Sequence, residues 1–332
     1  MDKIDFVILW VDGNDPEWQK EKNKYTPTIH NDSRVIRYRD WNNLRYWFRG
    51  VEKFAPWVNK VFFVTWGHIP KWLNTNEPKL QIVKHSDFIS EQYLPTFNCN
   101  PIELNIHRIN GLSEQFVYFN DDTFIISPTK ETDFFKNGLP CDSAALNVHC
   151  YDPSEGINYS NYLRIINKYF DMHECLRKNR KKWFNIKNGK YLLRTVYLLP
   201  CPRFPGMHQP HLPNSFLKST YEIIWKKEYE LMDETCAHRF RDKDDFTQWT
   251  MRCWQLAEGS FENRSVSKFG KSFFIDDRID PDDHICLYIR KQKGKTICIN
   301  DGEMSDDLFE INKKKLIAAF DTILPEKCSF EL

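Results

Sequence analysis

Hydrophobic runs and amphipathic segments alternate through the first 125 residues of the chain. Residues 4–11 are rich in β-branched and aromatic side chains and end at Asp12-Gly13, which predicts a buried first strand followed by a turn. Similar runs predict further strands at 60–66, 80–84 and 116–119.

Helix signals lie between the predicted strands. Residues 41–54 carry apolar side chains at helical spacing, with Asp40 as the expected N-cap and Pro56 beyond the end. Asn100-Pro101 opens a second predicted helix that extends to about residue 111. Because strands separated by helices pair in parallel through right-handed crossovers, we expect an α/β fold with a mostly parallel sheet and flanking helices.

The pattern becomes less regular after residue 128. It predicts helices at 158–170, 214–232 and 244–256, and short strands with turns within 261–299. We therefore divide the chain into an α/β part at 1–127, a mainly helical insertion at 128–200, and a segment at 201–332 that folds back onto the first part.

Composition excludes several classes of partner. The 332 residues carry a formal net charge of only +1, which does not favour nucleic acid. An apolar run of about eighteen residues or more, long enough to span a membrane, does not occur in the sequence. The ten cysteines include no C-x-x-C pair, so we expect no structural zinc. Scattered thiols without a cleavable signal favour the cytoplasm.

One local exception to the balanced charge lies at residues 177–190. This stretch has seven lysines or arginines and no acidic residue, with Trp183 and Phe184 in its middle. It can be a solvated loop, or a contact surface for an anionic acceptor or for acidic lipid headgroups. The second use predicts peripheral attachment at the inner face of the membrane.

Candidate carboxylates follow the fourth predicted strand as Asn120-Asp121-Asp122. Open α/β sheets bind ligands beyond the carboxyl ends of their strands, which is where these side chains are expected. Asp121 and Asp122 could hold Mg²⁺ against a diphosphate, or bind sugar hydroxyls. An Asp-rich turn without a ligand explains the same residues.

Glu103 has two competing interpretations. It occupies the position of a capping-box glutamate after Asn100-Pro101, a purely structural use. It also lies four residues before His107, and that spacing would place an acid and a base on one helix face. Sequence spacing leaves both open.

Further candidates lie downstream in loops and charge runs. His208 and His211 flank Gln209-Pro210 in a loop rich in Pro and Gly, and histidines in such a loop are candidates for acid–base work near a phosphate. Arg241 lies in the charged run 238–245 and could clamp a phosphate, although such runs are usually solvated. The aspartates at 276–283 lack the spacing of a calcium loop and are interpreted as an acidic turn.

Residues 4–18 closely resemble the first signature block of the Stealth family. Stealth proteins are hexose-1-phosphate transferases of bacterial capsule and cell-wall synthesis, related to the animal N-acetylglucosamine-1-phosphotransferase. A second block extends from Arg39 to Asp122. Shorter resemblances occur at 208–211, 238–241 and 297–301, and a departure occurs at Trp66 and His68, where relatives often carry smaller or polar residues.

The resemblance implies a site and a fold. Its catalytic positions correspond to Glu103, Asp122, His208 and Arg241, with Mg²⁺ (or Mn²⁺) held by Asp121 and Asp122. Substrate contacts are expected from Trp10, Asp12, Gly13, Arg45, His107, Asn120, His211, Asn300 and Asp301. Residues 1–127 would form a glycosyltransferase-A-like nucleotide-sugar layer, residues 128–200 would contact the acceptor, and residues 201–332 would complete the catalytic site.

The expected reaction follows from the same resemblance. A sugar-1-phosphate would pass from a UDP-sugar to a hydroxyl of a glycan or lipid-linked oligosaccharide, forming a phosphodiester and releasing UMP. His208 is the predicted general base, and Arg241 would stabilise charge on the phosphate. Two alternatives remain open at this stage: a metal-dependent glycosyltransferase that releases UDP, and a carbohydrate-binding protein without activity.

Overall fold

The computed structural model describes residues 2–26, 39–150, 159–277, 280 and 282–332. The strands are β1 Ile4–Leu9, β2 Val61–Thr65, β3 Leu80–Lys84, β4 Gln115–Phe119, β5 Thr123–Ile125, β6 Phe135–Lys136, β7 Leu139–Asp142, β8 Asn214–Leu217, β9 Glu262–Asn263, β10 Gly270–Ile275 and β11 Thr296–Asp301. The helices are α1 Pro16–Tyr25, α2 Leu44–Phe54, α3 Cys99–Asn105, α4 Tyr162–Tyr169, α5 Met172–Lys178, α6 Arg180–Trp183, α7 Tyr191–Tyr197, α8 Lys218–Lys227, α9 Tyr229–Ala237, α10 Trp249–Glu258, α11 Val266–Phe269, α12 Leu287–Arg290 and α13 Asp306–Ile323.

A five-stranded central sheet organises the fold, with strand order β3-β2-β1-β4-β8. The first four strands of this order are parallel, and β8 is antiparallel to β4. β1 lies at the centre, where Phe6 pairs with Val61 on one side and Val117 on the other. The α/β class with a mostly parallel sheet and flanking helices is therefore confirmed.

Alternate side chains of the strands supply two separate cores, because successive residues of a strand point to opposite faces. Val7 and Tyr118 pack into the core on one face, together with side chains from α4, α5, α8, α9 and α10. Phe6 and Phe119 pack into the core on the other face, with α2, α12, α13 and the small sheet β10-β11-β5. The sheet is thus covered on both sides.

Several predicted boundaries differ from the structure. α2 begins at Leu44 rather than residue 41, and the Asp40 carboxylate accepts a hydrogen bond from the Asn42 amide instead of capping the helix. The side chain of Asn98, not Asn100, caps α3. The helix predicted at 214–232 is wrong in its first four residues, which form β8, because backbone pairing with β4 overrides their weak local preference. The helix predicted at 244–256 begins only at Trp249.

The predicted insertion at 128–200 contributes helices that pack on the last segment of the chain. α4 and α5 lie against α10. Among the described residues, no helix is both long enough and apolar enough to cross a membrane.

Gly50 sets how closely α2 approaches the small sheet. A Cβ atom built at this position would lie 2.6 Å from the carbonyl oxygen of Ile125 in β5. That oxygen belongs to backbone that cannot move away without shifting the strand. The glycine therefore permits contact between α2 and β5 at a distance that no other residue allows.

For Gly50→Ala, two effects oppose each other. Alanine favours the helix by about 1 kcal/mol, whereas forcing a methyl group into packed backbone costs about 1–3 kcal/mol or more. Because the approach of 2.6 Å involves backbone, we expect the steric cost to win and the free energy of unfolding to fall by about 1–2 kcal/mol. Urea denaturation measures it; a variant more stable than the wild type would contradict the close packing of α2 on β5.

Candidate active site

A cavity of about 880 Å³ opens at the carboxyl edge of the central sheet. Trp10 follows β1 into it, and Asn120-Asp121-Asp122 follows β4. Other parts of the chain complete its wall with Arg39, Asp40, Trp41, Cys99, Asn100, Glu103, Gln209, His211, Arg241, Gln248, Trp249, Asp276, Asp277, Asn300, Asp301 and Glu303. Cationic, acidic and aromatic side chains therefore converge where α/β sheets bind ligands.

The polarity of β8 brings His211 to Asp122. Because β8 runs antiparallel to β4, with Asn214 opposite Tyr118, the chain that enters β8 lies at the same edge as the chain that leaves β4. His211 Nε2 consequently lies 2.9 Å from the side-chain amide nitrogen of Asn120 and 3.9 Å from Asp122 Oδ2.

Asp122 is held by the neighbouring sheet. Its carbonyl accepts the Ile299 amide at 2.9 Å, and its Oδ2 accepts the Cys298 thiol at 3.4 Å. Its Oδ1 is buried and has no hydrogen-bond partner among the described residues. An acceptor of this kind is suited to a ligand donor or a cation.

Asp122, His211 and Cys298 place one possible ligand atom each within 4.8 Å of the others. Burial, followed by the charge of Asp122, raises the pKa of Cys298 well above its ordinary value. The Asp122 carboxylate is a hard ligand that suits Mg²⁺ or Mn²⁺, while the imidazole suits softer transition metals.

Asp121 lies outside that three-residue cluster. Its side chain is open to solvent in the cavity, yet surrounding protein and then the charge of Asp122 raise its pKa to about 7. Asp301 is the last residue of β11 in the small sheet and also lines the cavity. Burial raises the pKa of Asp301 to about 6, against the opposing charge of Arg39. Neighbouring Asn300 donates to Ser272 Oγ at 2.9 Å.

Glu103 lies in α3 at the cavity wall and is buried. Its carboxylate accepts the Tyr118 hydroxyl at 2.9 Å and the Gln248 amide at 3.2 Å. Burial raises its pKa, while those two hydrogen bonds and the charge of Arg241 oppose the rise. The carboxylate therefore faces the site and does not serve as the capping-box residue of α3.

A buried carboxylate, Asp245, positions the loop that carries Arg241. Its Oδ2 accepts the side-chain amides of Asn98 at 2.7 Å and Asn100 at 2.9 Å, both from the start of α3. Its Oδ1 contacts His238 Nδ1 at 2.7 Å. Arg241 lies between His238 and Asp245 in sequence, so these bonds bring its guanidinium to the same wall as Glu103, where it donates to Cys99 Sγ at 3.1 Å.

The structure does not bring His208 to this cavity. Its ring stacks on Tyr191 with centroids 3.9 Å apart, and its carbonyl accepts a hydrogen bond from buried Arg252 at 2.8 Å. Burial, followed by the charge of Arg252, lowers the pKa of His208 to about 4. His211, three residues later, occupies the cavity wall instead.

His107 and Arg45 also lie outside the cavity lining. His107 stacks on Tyr221 with centroids 5.5 Å apart, and burial lowers its pKa to about 3. Arg45 lies over the Trp72 ring at 5.2 Å and 4.0 Å from Glu331, near the end of the chain. His107 therefore packs in the protein interior, and Arg45 lies beside a residue near the end of the chain. Neither side chain lines the site.

The turn after β1 is arranged by His68. The Asp12 amide donates to His68 Nε2 at 2.8 Å, and the Asp12 carboxylate accepts the Asn14 amide. The His68 ring also lies edge-on to Trp10. Gly13 lines a neighbouring cavity of about 530 Å³ rather than the larger one. His68 thus supports the strand end that carries Trp10.

Sequence comparison decides the family. Residues 2–29 match conserved region 1 of Stealth proteins, and residues 37–141 match conserved region 2. The capsular polysaccharide phosphotransferase WcwK of Streptococcus pneumoniae is 44% identical over 335 residues, covering 100% of this chain and 98% of the relative. The receptor polysaccharide phosphotransferase WefC of Streptococcus oralis is 40% identical and covered in full, as is this chain. The chain belongs to the Stealth family.

Solved structures are more distant from this Stealth protein. The galactosyltransferase LgtC has 9% identity and a TM-score of 0.40, with 96% of each chain covered. The bifunctional glycosyltransferase WbbM has 12% identity and a TM-score of 0.36, covering 97% of this chain and 52% of WbbM.

Several residues of the Stealth cavity were not singled out from the sequence. Arg39, Asp40 and Trp41 enter it from the segment before α2, and Asp276 and Asp277 enter it from the segment after β10. The sequence alone predicts only an acidic turn for Asp276 and Asp277. β10 pairs in parallel with β11, so the residues that follow these two strands lie at the same edge of the small sheet. The end of the aromatic run at residue 275 was the sequence signal that could have placed Asp276 and Asp277 beside Asp301.

We expect Asp245→Asn to lower the free energy of unfolding by about 3 kcal/mol, the scale for removing one partner of a buried charged network. The introduced amide nitrogen would face the donors of Asn98 and Asn100. Asp244→Asn, exposed on the same loop, is the matched control and should change stability little. Equal urea midpoints for the two variants would refute the positioning role of Asp245.

Stability should also depend on pH through His107. Its pKa is lowered in the folded state, so the unfolded chain binds the proton first as the pH falls below about 6.5. The wild type should therefore lose about 2 kcal/mol more stability than His107→Gln between about pH 7 and pH 5. Parallel pH profiles from urea titrations would show that His107 is not held neutral.

Proposed function

We propose that this Stealth protein transfers a hexose- or N-acetylhexosamine-1-phosphate from a UDP-sugar to a hydroxyl of a glycan acceptor in polysaccharide synthesis. The reaction would form a phosphodiester and release UMP. One observation carries the proposal: His211 and Asp122 share a single cavity with Glu103 and Arg241. Relatives that are similar over the full chain bear the names of polysaccharide phosphotransferases.

The cavity offers suitable chemistry for a nucleotide-diphosphate sugar. Its volume of about 880 Å³ lies within the range of pockets that hold ligands of that size. Trp10, Trp41 and Trp249 supply aromatic faces for a base or a sugar ring. Arg241 supplies a guanidinium, the side chain best suited to planar contact with phosphate oxygens.

We assign the proton transfer to His211 rather than His208. Histidine exchanges a proton near neutral pH, and only His211 of the two lies at the cavity wall. Its imidazole would take the proton of the acceptor hydroxyl as the oxygen attacks the sugar-bound phosphorus. The bond between that phosphorus and the bridging oxygen breaks, and UMP leaves with the electron pair. Asn120 and Asp122, at 2.9 Å and 3.9 Å from Nε2, hold the ring at the cavity wall.

Asp122 is the residue we assign to a divalent cation, Mg²⁺ or Mn²⁺. The His211 nitrogen cannot bind the cation and accept a proton at the same time. We therefore assign the cation to Asp122 and the proton to His211. Asp122 Oδ1 is buried and without a described partner, and a carboxylate with phosphate oxygens and waters suits these cations. The cation would supply neutralisation of the diphosphate charge when bound. Asp121 could assist from the cavity mouth.

Arg241 and Glu103 line the same cavity as His211. Arg241 would stabilise the charge that develops on the transferring phosphate, where fixed electrostatics contributes most to phosphoryl transfer. Glu103 is buried between Tyr118 and the Gln248 amide, so its position is fixed before substrate binds. It would orient sugar hydroxyls and Arg241 rather than exchange a proton with solvent.

The pair His211→Ala and His208→Ala tests the assignment of the base. Loss of a general base costs about 10²–10⁴-fold in rate, so we expect kcat to fall by that factor for His211→Ala and to change only a few-fold for His208→Ala. The assay follows UMP release from a panel of UDP-sugars, and thermal unfolding checks that both variants fold.

The product identifies the reaction. Phosphorus NMR should show a diester resonance, with UMP formed in equal amount. A phosphate-free linkage with UDP release would establish glycosyl transfer instead, and absence of turnover with all sugars would favour a binding protein. A large loss in His208→Ala with an active His211→Ala would return the role of base to His208.

A further inference from the structure

The exposed side chains between residues 177 and 197, here called the basic-apolar surface, combine two unusual features. From residue 175 to residue 221 the chain has ten lysines or arginines and no aspartate or glutamate. Arg180, Lys181, Lys187 and Lys190 of this surface are exposed. Among the described residues, the ion pair made by this surface joins Lys178 to Glu174. Most of its positive charge is therefore presented to solvent.

Large apolar side chains are exposed on the same segment. Of fourteen exposed large hydrophobic residues in the described chain, five fall within residues 184–197. They are Phe184, Ile186, Leu193, Val196 and Tyr197. Ile186 is 89% exposed and Tyr197 is 83% exposed, so this concentration is not explained by packing against the protein.

Helix α7 is amphipathic, and its apolar face points away from the core. Leu193, Val196 and Tyr197 are spaced i, i+3 and i+4, which places them on one helix face. Thr195 is buried on the other side, where its hydroxyl accepts the Leu146 amide at 3.0 Å. The helix is thus fixed to the body of the protein while its apolar face points outward.

The basic-apolar surface is rigidly attached. Lys182 Nζ donates to the Gly259 carbonyl at 2.7 Å, and Lys187 Nζ donates to the Asn263 carbonyl at 3.0 Å. The Asn188 side chain donates to the Ala144 carbonyl at 2.8 Å and is buried. An ordered surface avoids the entropy cost of folding on contact, so its exposed groups are ready to bind.

We propose that the basic-apolar surface binds the interfacial region of a bilayer that contains anionic lipids. Apolar side chains flanked by lysine and arginine are the combination that lies in such an interface, with the rings and chains among the acyl groups and the cations at the phosphates. Charge complementarity selects this partner, since a second copy of the chain would bring cations against cations. An anionic soluble glycan would satisfy the charges but leave the apolar face in water.

The surface is connected to the candidate active site. Tyr191 of α7 stacks on His208, and the chain continues through Gln209 to His211 at the cavity wall. Binding at the bilayer would bring a lipid-linked acceptor toward the cavity. The inference goes beyond the proposed reaction, because the surface would bind a membrane whichever bond of the donor breaks.

Vesicle sedimentation with the full chain tests the proposal. Vesicles of phosphatidylcholine with about 30% phosphatidylglycerol should bind the protein, and pure phosphatidylcholine vesicles should bind it weakly. Binding should decrease as salt rises from about 0.05 M to about 0.5 M. Arg180→Glu with Lys181→Glu should weaken it by roughly thirty-fold or more, since each cation near an anionic bilayer contributes about five-fold.

The apolar half of the surface needs its own variant. Leu193→Gln with Tyr197→Gln should weaken binding by about ten-fold without changing its salt dependence. Lys314→Glu and Ile311→Gln, exposed on α13, are matched controls that should bind as the wild type does. Transfer to a soluble acceptor should be unchanged in all these variants, which separates this inference from the proposed reaction.

Three results would overturn the proposal. The first is equal binding by wild type and both surface variants. The second is a concentration-dependent dimer that the Leu193→Gln and Tyr197→Gln changes abolish in sedimentation velocity, with no vesicle binding by the wild type. The third is binding to a soluble anionic polysaccharide in place of vesicles, lost on charge reversal but not on the apolar changes.

Discussion

The buried carboxylate of Asp245 is the contact on which the candidate site depends. It joins the start of α3, through Asn98 and Asn100, to the loop that carries Arg241. Neither segment has a strand partner at this point, so their relative position is set by hydrogen bonds rather than by a sheet ladder. Polar contacts of this kind are strong only when every donor and acceptor is satisfied, and Asp245 meets that condition by accepting at both oxygens.

Strands of the central and small sheets position another part of the cavity lining. Asp122 follows β4 in the turn beyond the strand and accepts two hydrogen bonds from β11, one from a backbone amide and one from the Cys298 thiol. His211 enters through the antiparallel strand β8. One part of the cavity lining is therefore fixed by a buried charge and another part by strand geometry.

The sequence predicted the parallel strands because four apolar runs rich in β-branched or aromatic residues are typical of buried strands. The helices predicted between them favour parallel pairing. It failed at β8, whose residues Asn214-Ser215-Phe216-Leu217 continue without a break into α8. Four residues carry too little periodicity to separate strand from helix, and pairing with β4 decides the matter. Glu103, Asp122 and Arg241 were expected together and line one cavity. His208 was the predicted base and His211 a predicted substrate contact, but only His211 lies at the cavity wall. Sequence alone does not show which way the folded chain directs two histidines of one loop.

The antiparallel pairing of β4 with β8 also bears on the order in which the molecule is assembled. In the central sheet, β1 pairs with β4 across residues 10–114, and β4 pairs with β8 across residues 120–213, which include the whole of the insertion. Closing so long a loop is entropically costly and is repaid only when the contacts form. During synthesis, the ribosome releases Asp122 long before it releases His211. A chain in which β8 has not yet paired with β4 therefore has Asp122 without His211 beside it.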